Sequence, residues 1–133
     1  MNGSKNPRER GAVAVEFALV APLFLAILVA IIEFSNFFRV QISVTQAARE
    51  AARAMAISND QTAAKAAAAA ASPGIDPSGF SYAFSPSSCS SGQTVQVTIT
   101  YSLNDVSGGA LQTLTGAVMP GSVTGVSAMR CGG

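Results

Sequence analysis

The sequence predicts an α+β protein: a long N-terminal transmembrane helix that continues as an amphipathic helix, followed by a small antiparallel β-sheet of about three strands. Three observations carry this. Residues 12–32 are apolar except for Glu16 and Pro22. Residues 33–71 contain neither Gly nor Pro and place apolar side chains at helical spacing. Beyond Pro73 and Gly74 the chain becomes rich in Ser, Pro and Gly and includes a strictly alternating stretch at 94–101. The expected organisation is a cytoplasmic leader at 1–11, a spanning helix at 12–32, an extracytoplasmic amphipathic helix at 33–71 and a small extracytoplasmic β-rich domain at 72–133.

The apolar run has the length of a membrane span. Its 21 residues rise about 31 Å as a helix, against a hydrocarbon core of about 30 Å. Between Phe17 and Ile32 stand eleven Leu, Ile, Val or Phe residues, which favour insertion by about 3 to 7 kcal/mol in total. The Glu16 carboxylate opposes this by less than the roughly 2.5 to 3.5 kcal/mol expected at a helix centre, because it lies near the end of the span. Insertion wins, and the acid needs a partner. Pro22 kinks the helix or removes one backbone hydrogen bond, which membrane helices tolerate. Ala14 with Ala18, and Ala26 with Ala30, allow close helix approach.

The leader MNGSKNPRER carries Lys5, Arg8 and Arg10 against Glu9. This charge bias keeps it cytoplasmic and directs the remainder outward. A secretory signal peptide has a shorter apolar part, of about 7 to 15 residues, and ends at a small-residue cleavage site. Here the run passes unbroken into Glu33, Phe34 and Arg39. The junction itself, Gly11 then Ala12 with Glu16 five residues after the glycine, resembles the processing site of type IV pilin precursors, which implies cleavage after Gly11.

Ala12 and Glu16 share one helix face at i,i+4. A cut after Gly11 would create an ammonium group able to pair with this carboxylate, or with that of a neighbouring subunit. Losing one partner of a buried pair costs about 3 to 5 kcal/mol, so such pairing can fix axial register. The alternative is that Glu16 merely snorkels to the membrane surface.

In the next segment Phe34, Phe37, Phe38, Val40, Ile42, Val44, Ala47, Ala48, Ala51, Ala52, Met55 and Ala56 make the apolar side. Gln41, Gln46, Arg49, Glu50 and Arg53 make the polar one. Ser58, Asn59 and Asp60 interrupt it, with Asn59 or Asp60 capping a second helix at 61–71. A single long helix with a weak point there is the other reading. Strands are expected at 79–85 and at 94–101, where Val95, Val97, Ile99 and Tyr101 line one face. A short helix after Gly109 and a last strand at 122–130 complete the order. The apolar residues of 110–120 are expected to be core, the alternative being contact with a membrane surface or partner.

Cys89 and Cys131 are the only cysteines, and both follow the apolar run. Export would favour their pairing, closing a 43-residue loop with a stabilisation of about 4 kcal/mol on the chain-entropy estimate. Two unrelated buried thiols are the alternative. The last strand would bring Cys131 towards Cys89.

Net charge is +1 with no basic stripe, and there is no His and no Trp. Nucleic acid is not indicated as a partner. No metal-ligand spacing, cofactor motif or small-molecule substrate site is visible, and Asp76 and Asp105 lie in turn-like contexts, so an enzyme is not expected.

The Gly-x-x-x-x-Glu-Phe start, the run through Ala21 and Pro22, the Glu33-Phe34 pair and the segment QAAREAAR together resemble the TadE-like family of the tight-adherence (Tad) pilus machinery. The resemblance extends from Gly11 to Ala56. It implies a minor pilin or pseudopilin, processed by the prepilin peptidase between Gly11 and Ala12, with Glu16 as the pilin-type glutamate and Phe17 and Pro22 in the assembling helix. Implied partners are the membrane, the prepilin peptidase, other Tad/Flp pilins and pseudopilins, and an inner-membrane assembly platform.

Major Flp-type pilins are shorter and tend to have Tyr where Phe17 stands, which argues against the bulk filament subunit. The other readings are an uncleaved single-pass accessory or scaffold protein and a secretory protein released by a cut near Ala30 or beyond.

Overall fold

A computed structural model describes residues 7–104 and 108–132. Helix α1 spans Pro7–Ser58 and α2 Gln61–Ala70; strands β1 (Phe80–Ser85) and β2 (Thr94–Ser102) follow, then helix α3 (Ala110–Thr115) and strand β3 (Ser122–Arg130). The sheet order is β1-β2-β3, both pairs antiparallel. The α+β class and the three-stranded sheet therefore stand as expected. Asp105 and residues 1–6 of the leader lie outside the described residues.

The described residues fall into two compact units. One holds α1 up to Phe34 together with the segment 108–118. Within it Leu111 is buried, whereas Leu114 and Val118 are 51% and 75% exposed. The expectation that the 110–120 apolar residues form core thus holds for Leu111 and fails for these two. In this unit α1 begins at Pro7, inside the expected leader, and runs through Gly11 and Pro22.

The other unit holds residues 35–104 and 119–132. Its core is a stripe on α1 made by Val40, Val44, Ala47, Ala48, Ala51, Ala52, Met55 and Ala56, all buried. Spacings of three and four residues set them on one face. Alanine dominates the stripe, so the sheet can come close. Val95, Val97, Ile99, Val123 and Phe80 meet it, with Ala64 and Ala68 of α2 completing the cluster.

At Gly125 the approach is close enough that an added Cβ would lie 2.6 Å from the Val44 carbonyl oxygen. Phe38 and Ile42, expected on the apolar side, are 59% and 62% exposed, as is much of Phe34. These three repeat every four residues along a flank outside the arc that Val40 and Val44 begin, so the sheet does not reach them.

The helix break falls where the Ser-Asn-Asp triplet predicts it. Asn59 takes a left-handed conformation (φ 50°), and its N–H donates to the Met55 carbonyl at 3.0 Å, closing α1 in the manner of an αL cap. Asp60 is extended, and its carboxylate accepts from the Thr62 N–H at 2.8 Å, starting α2. Replacing Asp60 with Ala should destabilise the chain by about 0.5 to 2 kcal/mol, while Asn, an equally good cap, should be nearly neutral. Thermal melts of the two variants in the same detergent test this ranking.

The expected strand at 79–85 starts one residue later because Pro77–Gly79 forms a 3-10 turn. Asp76 caps it, accepting from the Ser78 N–H at 2.9 Å. That backbone bond first, and the Ser78 side chain second, hold its carboxyl below the usual carboxylate range.

Candidate functional site

The residues singled out in the sequence occupy two places. Gly11, Ala12, Glu16, Phe17 and Pro22 all lie on α1, and all are exposed. Ala12 and Glu16 sit one turn apart on a shared face, as i,i+4 spacing requires. Around them Val13, Val15, Leu19, Val20, Leu23 and Phe24 point outward rather than into a core.

The reason is composition: the segment is apolar all round, and a helix of that kind requires an apolar surrounding. Its best 18-residue window has a mean hydropathy of 2.7 and none of it is buried. Among the described residues, α1 is the one helix long and apolar enough to cross a membrane. Gly11 has open space around its α-carbon, with nothing within 4 Å of an added Cβ. The far end of the run is marked by Glu33, which is buried.

The second place is the end of the sheet. Cys89 and Cys131 form a disulfide with a Cα–Cα separation of 5.6 Å, inside the usual range for such a bond. The alternative of unrelated thiols is excluded. Pairing follows from register: Thr94 stands opposite Arg130, so the loop before β2 and the residue after β3 emerge side by side. The Cys131 N–H donates to the Gln93 carbonyl at 2.8 Å, and the Gly132 N–H to the Ala56 carbonyl at 3.3 Å. The staple thereby holds the chain end against α1.

Asn59 contributes a bond that sequence reasoning missed, its side-chain carbonyl accepting from the Cys89 N–H. An Asn at a helix end was visible in the sequence, but its distant partner was not. Gln61 adds a similar tie, donating to the Ser87 carbonyl at 2.8 Å. Lys65 lies 5.6 Å from the centre of the Tyr82 ring, within cation–π reach. Among the described residues no group of three or more His, Cys, Asp or Glu is arranged to hold a metal ion.

Comparison with curated proteins and with solved structures finds no match for the chain. Against protein families the result is positive and local. Residues 11–53, beginning at Gly11 and taking in the whole apolar run, match the family described as TadE-like protein.

Proposed function

We propose that this protein is a minor pilin or pseudopilin of a Tad-type pilus, inserted by α1 and processed by a prepilin peptidase between Gly11 and Ala12. The observation that carries the reading is the TadE-like match, which starts at Gly11 and covers the apolar helix with Glu16 inside it. On this reading the leader is cytoplasmic, residues 12–32 sit in the inner membrane, and residues 33–133 lie outside. The Cys89–Cys131 disulfide suits that placement, since such bonds persist in oxidising compartments. Partners would be the prepilin peptidase, other Tad/Flp pilins and the inner-membrane assembly platform.

The role of Glu16 follows from cost. A carboxylate at the edge of an apolar helix is tolerable in one chain in a membrane. It becomes costly when helices pack, unless an ammonium meets it. Cleavage would supply that ammonium at Ala12. Phe17 and Pro22 then belong to the packing surface, and both are exposed in the single chain.

A second reading has its own support: α1 runs without interruption from Pro7 through Gly11, so the junction is presented as helix rather than as an extended segment. This favours an uncleaved single-pass accessory protein of the assembly machine.

Intact mass of the membrane-extracted protein, from cells with and without the peptidase, separates the two. The expected result is a peptidase-dependent chain starting at Ala12. Glu16→Ala should then leave membrane insertion intact while reducing assembly at least tenfold, the scale of losing about 1.4 kcal/mol or more. A chain of unchanged mass in both strains would leave the accessory reading standing.

A further inference from the structure

β3 ends the sheet, so one of its edges has no neighbouring strand among the described residues. The backbone of Cys131 fixes which residues face that edge. Its N–H donates to Gln93 and its carbonyl accepts from Gly92, so both groups face the β2 side. An antiparallel strand alternates residue by residue between facing its partner and facing away. Thr124, Val126, Ala128 and Arg130 therefore turn their backbone groups to the open edge. Thr124 confirms the parity, its carbonyl accepting from Gln41 Nε2 on α1 at 3.1 Å. Among the described residues the outward N–H and C=O of Val126 and Ala128 have no partner.

The flank of α1 beside this edge is hollowed. Gln41, Ile42, Thr45, Gln46 and Arg49 line an open groove of about 270 Å³. Gln41 ties one end to Thr124, and the Gly132 bond to Ala56 ties the other. Between these ties strand and helix run in the same direction over similar distances, about 26 Å and about 22 Å. Ile42 offers exposed apolar surface, and Val126 on the strand is 51% exposed. Arg49, Arg53 and Arg130 are all exposed. None of the three has an ion-pair partner among the described residues, and Glu50 is the one acid in 35–58.

We propose that the open edge of β3 receives an extended acidic segment of a partner protein as a fourth strand. Main-chain bonds to Val126 and Ala128 would supply its binding energy, as in β-strand addition. Side chains on one face of the added strand would fall on the groove that Ile42 and Arg49 line, and those on the other face would lie beside Val126 and Arg130, so an acidic segment meets an arginine on either face. A second copy of this chain fits less well. Symmetric antiparallel pairing of two β3 edges would set the two α1 helices antiparallel, whereas copies inserted by the same helix in one membrane are parallel. The edge, the groove and the arginines all lie within 35–104 and 119–132, so the inference holds whether or not Gly11 is cut; only the exclusion of a second copy rests on the membrane reading.

The test titrates the full chain, in detergent, with a labelled peptide Thr-Glu-Val-Glu-Val-Glu-Thr and with its lysine counterpart, read by fluorescence anisotropy. The acidic peptide should bind at least tenfold more tightly. N-methylating its alternate amides on the pairing side, or replacing Ala128 with Pro, should each weaken it about tenfold or more, since proline removes an outward donor that an edge strand can spare. Arg49→Glu combined with Arg130→Glu should reverse the preference between the peptides.

Equal affinity for both peptides, or binding weaker than about 1 mM, would overturn the proposal. So would acidic binding that methylation leaves unchanged, which would be charge alone, or a peptide-free dimer abolished by Ala128→Pro, which would make a second copy the occupant. Should Ala128→Pro fail to fold, the methylated peptide decides with the protein untouched.

Discussion

Alanine at Gly125 is expected to destabilise the sheet-bearing unit by about 1 to 3 kcal/mol, the range for overpacking a filled core. For a unit of this size that lowers the melting temperature by at least several degrees. The new methyl carbon would lie 2.6 Å from the Val44 carbonyl oxygen, 2.8 Å from the Val44 carbonyl carbon and 3.0 Å from the Thr45 α-carbon. All three are backbone atoms of a helix, so none can swing aside as a side-chain tip would. Relief requires β3 to move away from α1 as a whole.

Movement of that kind would strain the Gln41 bond to Thr124 and the pairing of Gly125 with Ile99, which is fully buried. Gly121→Ala serves as the control, because nothing lies within 4 Å of its added Cβ. Detergent-solubilised variants would be melted side by side and followed by hydrogen exchange at Ile99. Equal melting of the two would mean that β3 stands farther from α1 than this geometry requires.

Gly125 also shows where sequence reading ends. The strand at 122–130 was legible as a return beside the strictly alternating stretch at 94–101. A glycine inside it signals a bulge or a close approach, but the sequence cannot say to what. The helix break at Ser58, Asn59 and Asp60 was legible for the same local reason, since cap chemistry acts within a few residues. So was the apolar run, which is long and apolar enough to cross a membrane.

What could not be read depends on facing directions and distant contacts. Phe38 and Ile42 belong to the apolar list by composition, yet a sheet of three strands covers only one arc of α1, and that arc passes through Val40 and Val44. The Asn59 bond to Cys89 joins positions 30 residues apart, beyond any local signal. At Gly11, Ala12 and Glu16 the position was different: spacing alone located the candidate site, and the TadE-like match begins at the same glycine. On the proposed reading its chemistry belongs to packed helices, which is why the site shows here as exposure and charge alone.

Breaking the Cys89–Cys131 bond should have the largest effect on stability. The two residues are 42 apart in sequence, for which the chain-entropy estimate gives about 4 kcal/mol. Net stabilities of whole domains are only about 5 to 15 kcal/mol. Loss of the bond should therefore bring the sheet-bearing unit close to unfolding at physiological temperature. Cys89→Ala is the better variant, since Cys89 is half-buried whereas Cys131 is 4% exposed, and removing Cys131 would add a packing defect to the lost link.

Reduction of the unaltered chain makes an independent comparison and should lower the melting temperature by nearly as much as Cys89→Ala. The same treatment should release the Gly132 N–H from Ala56 and the Cys131 N–H from Gln93, seen as faster hydrogen exchange at both amides. Protection at Val97 and Ile99, in the middle of the sheet, should fall only as far as global stability does. If Cys89→Ala instead melts with the parent chain, the alanine stripe of α1 and the Asn59 tie are sufficient to hold the sheet. The disulfide would then mark the compartment in which the protein matures rather than what keeps it folded.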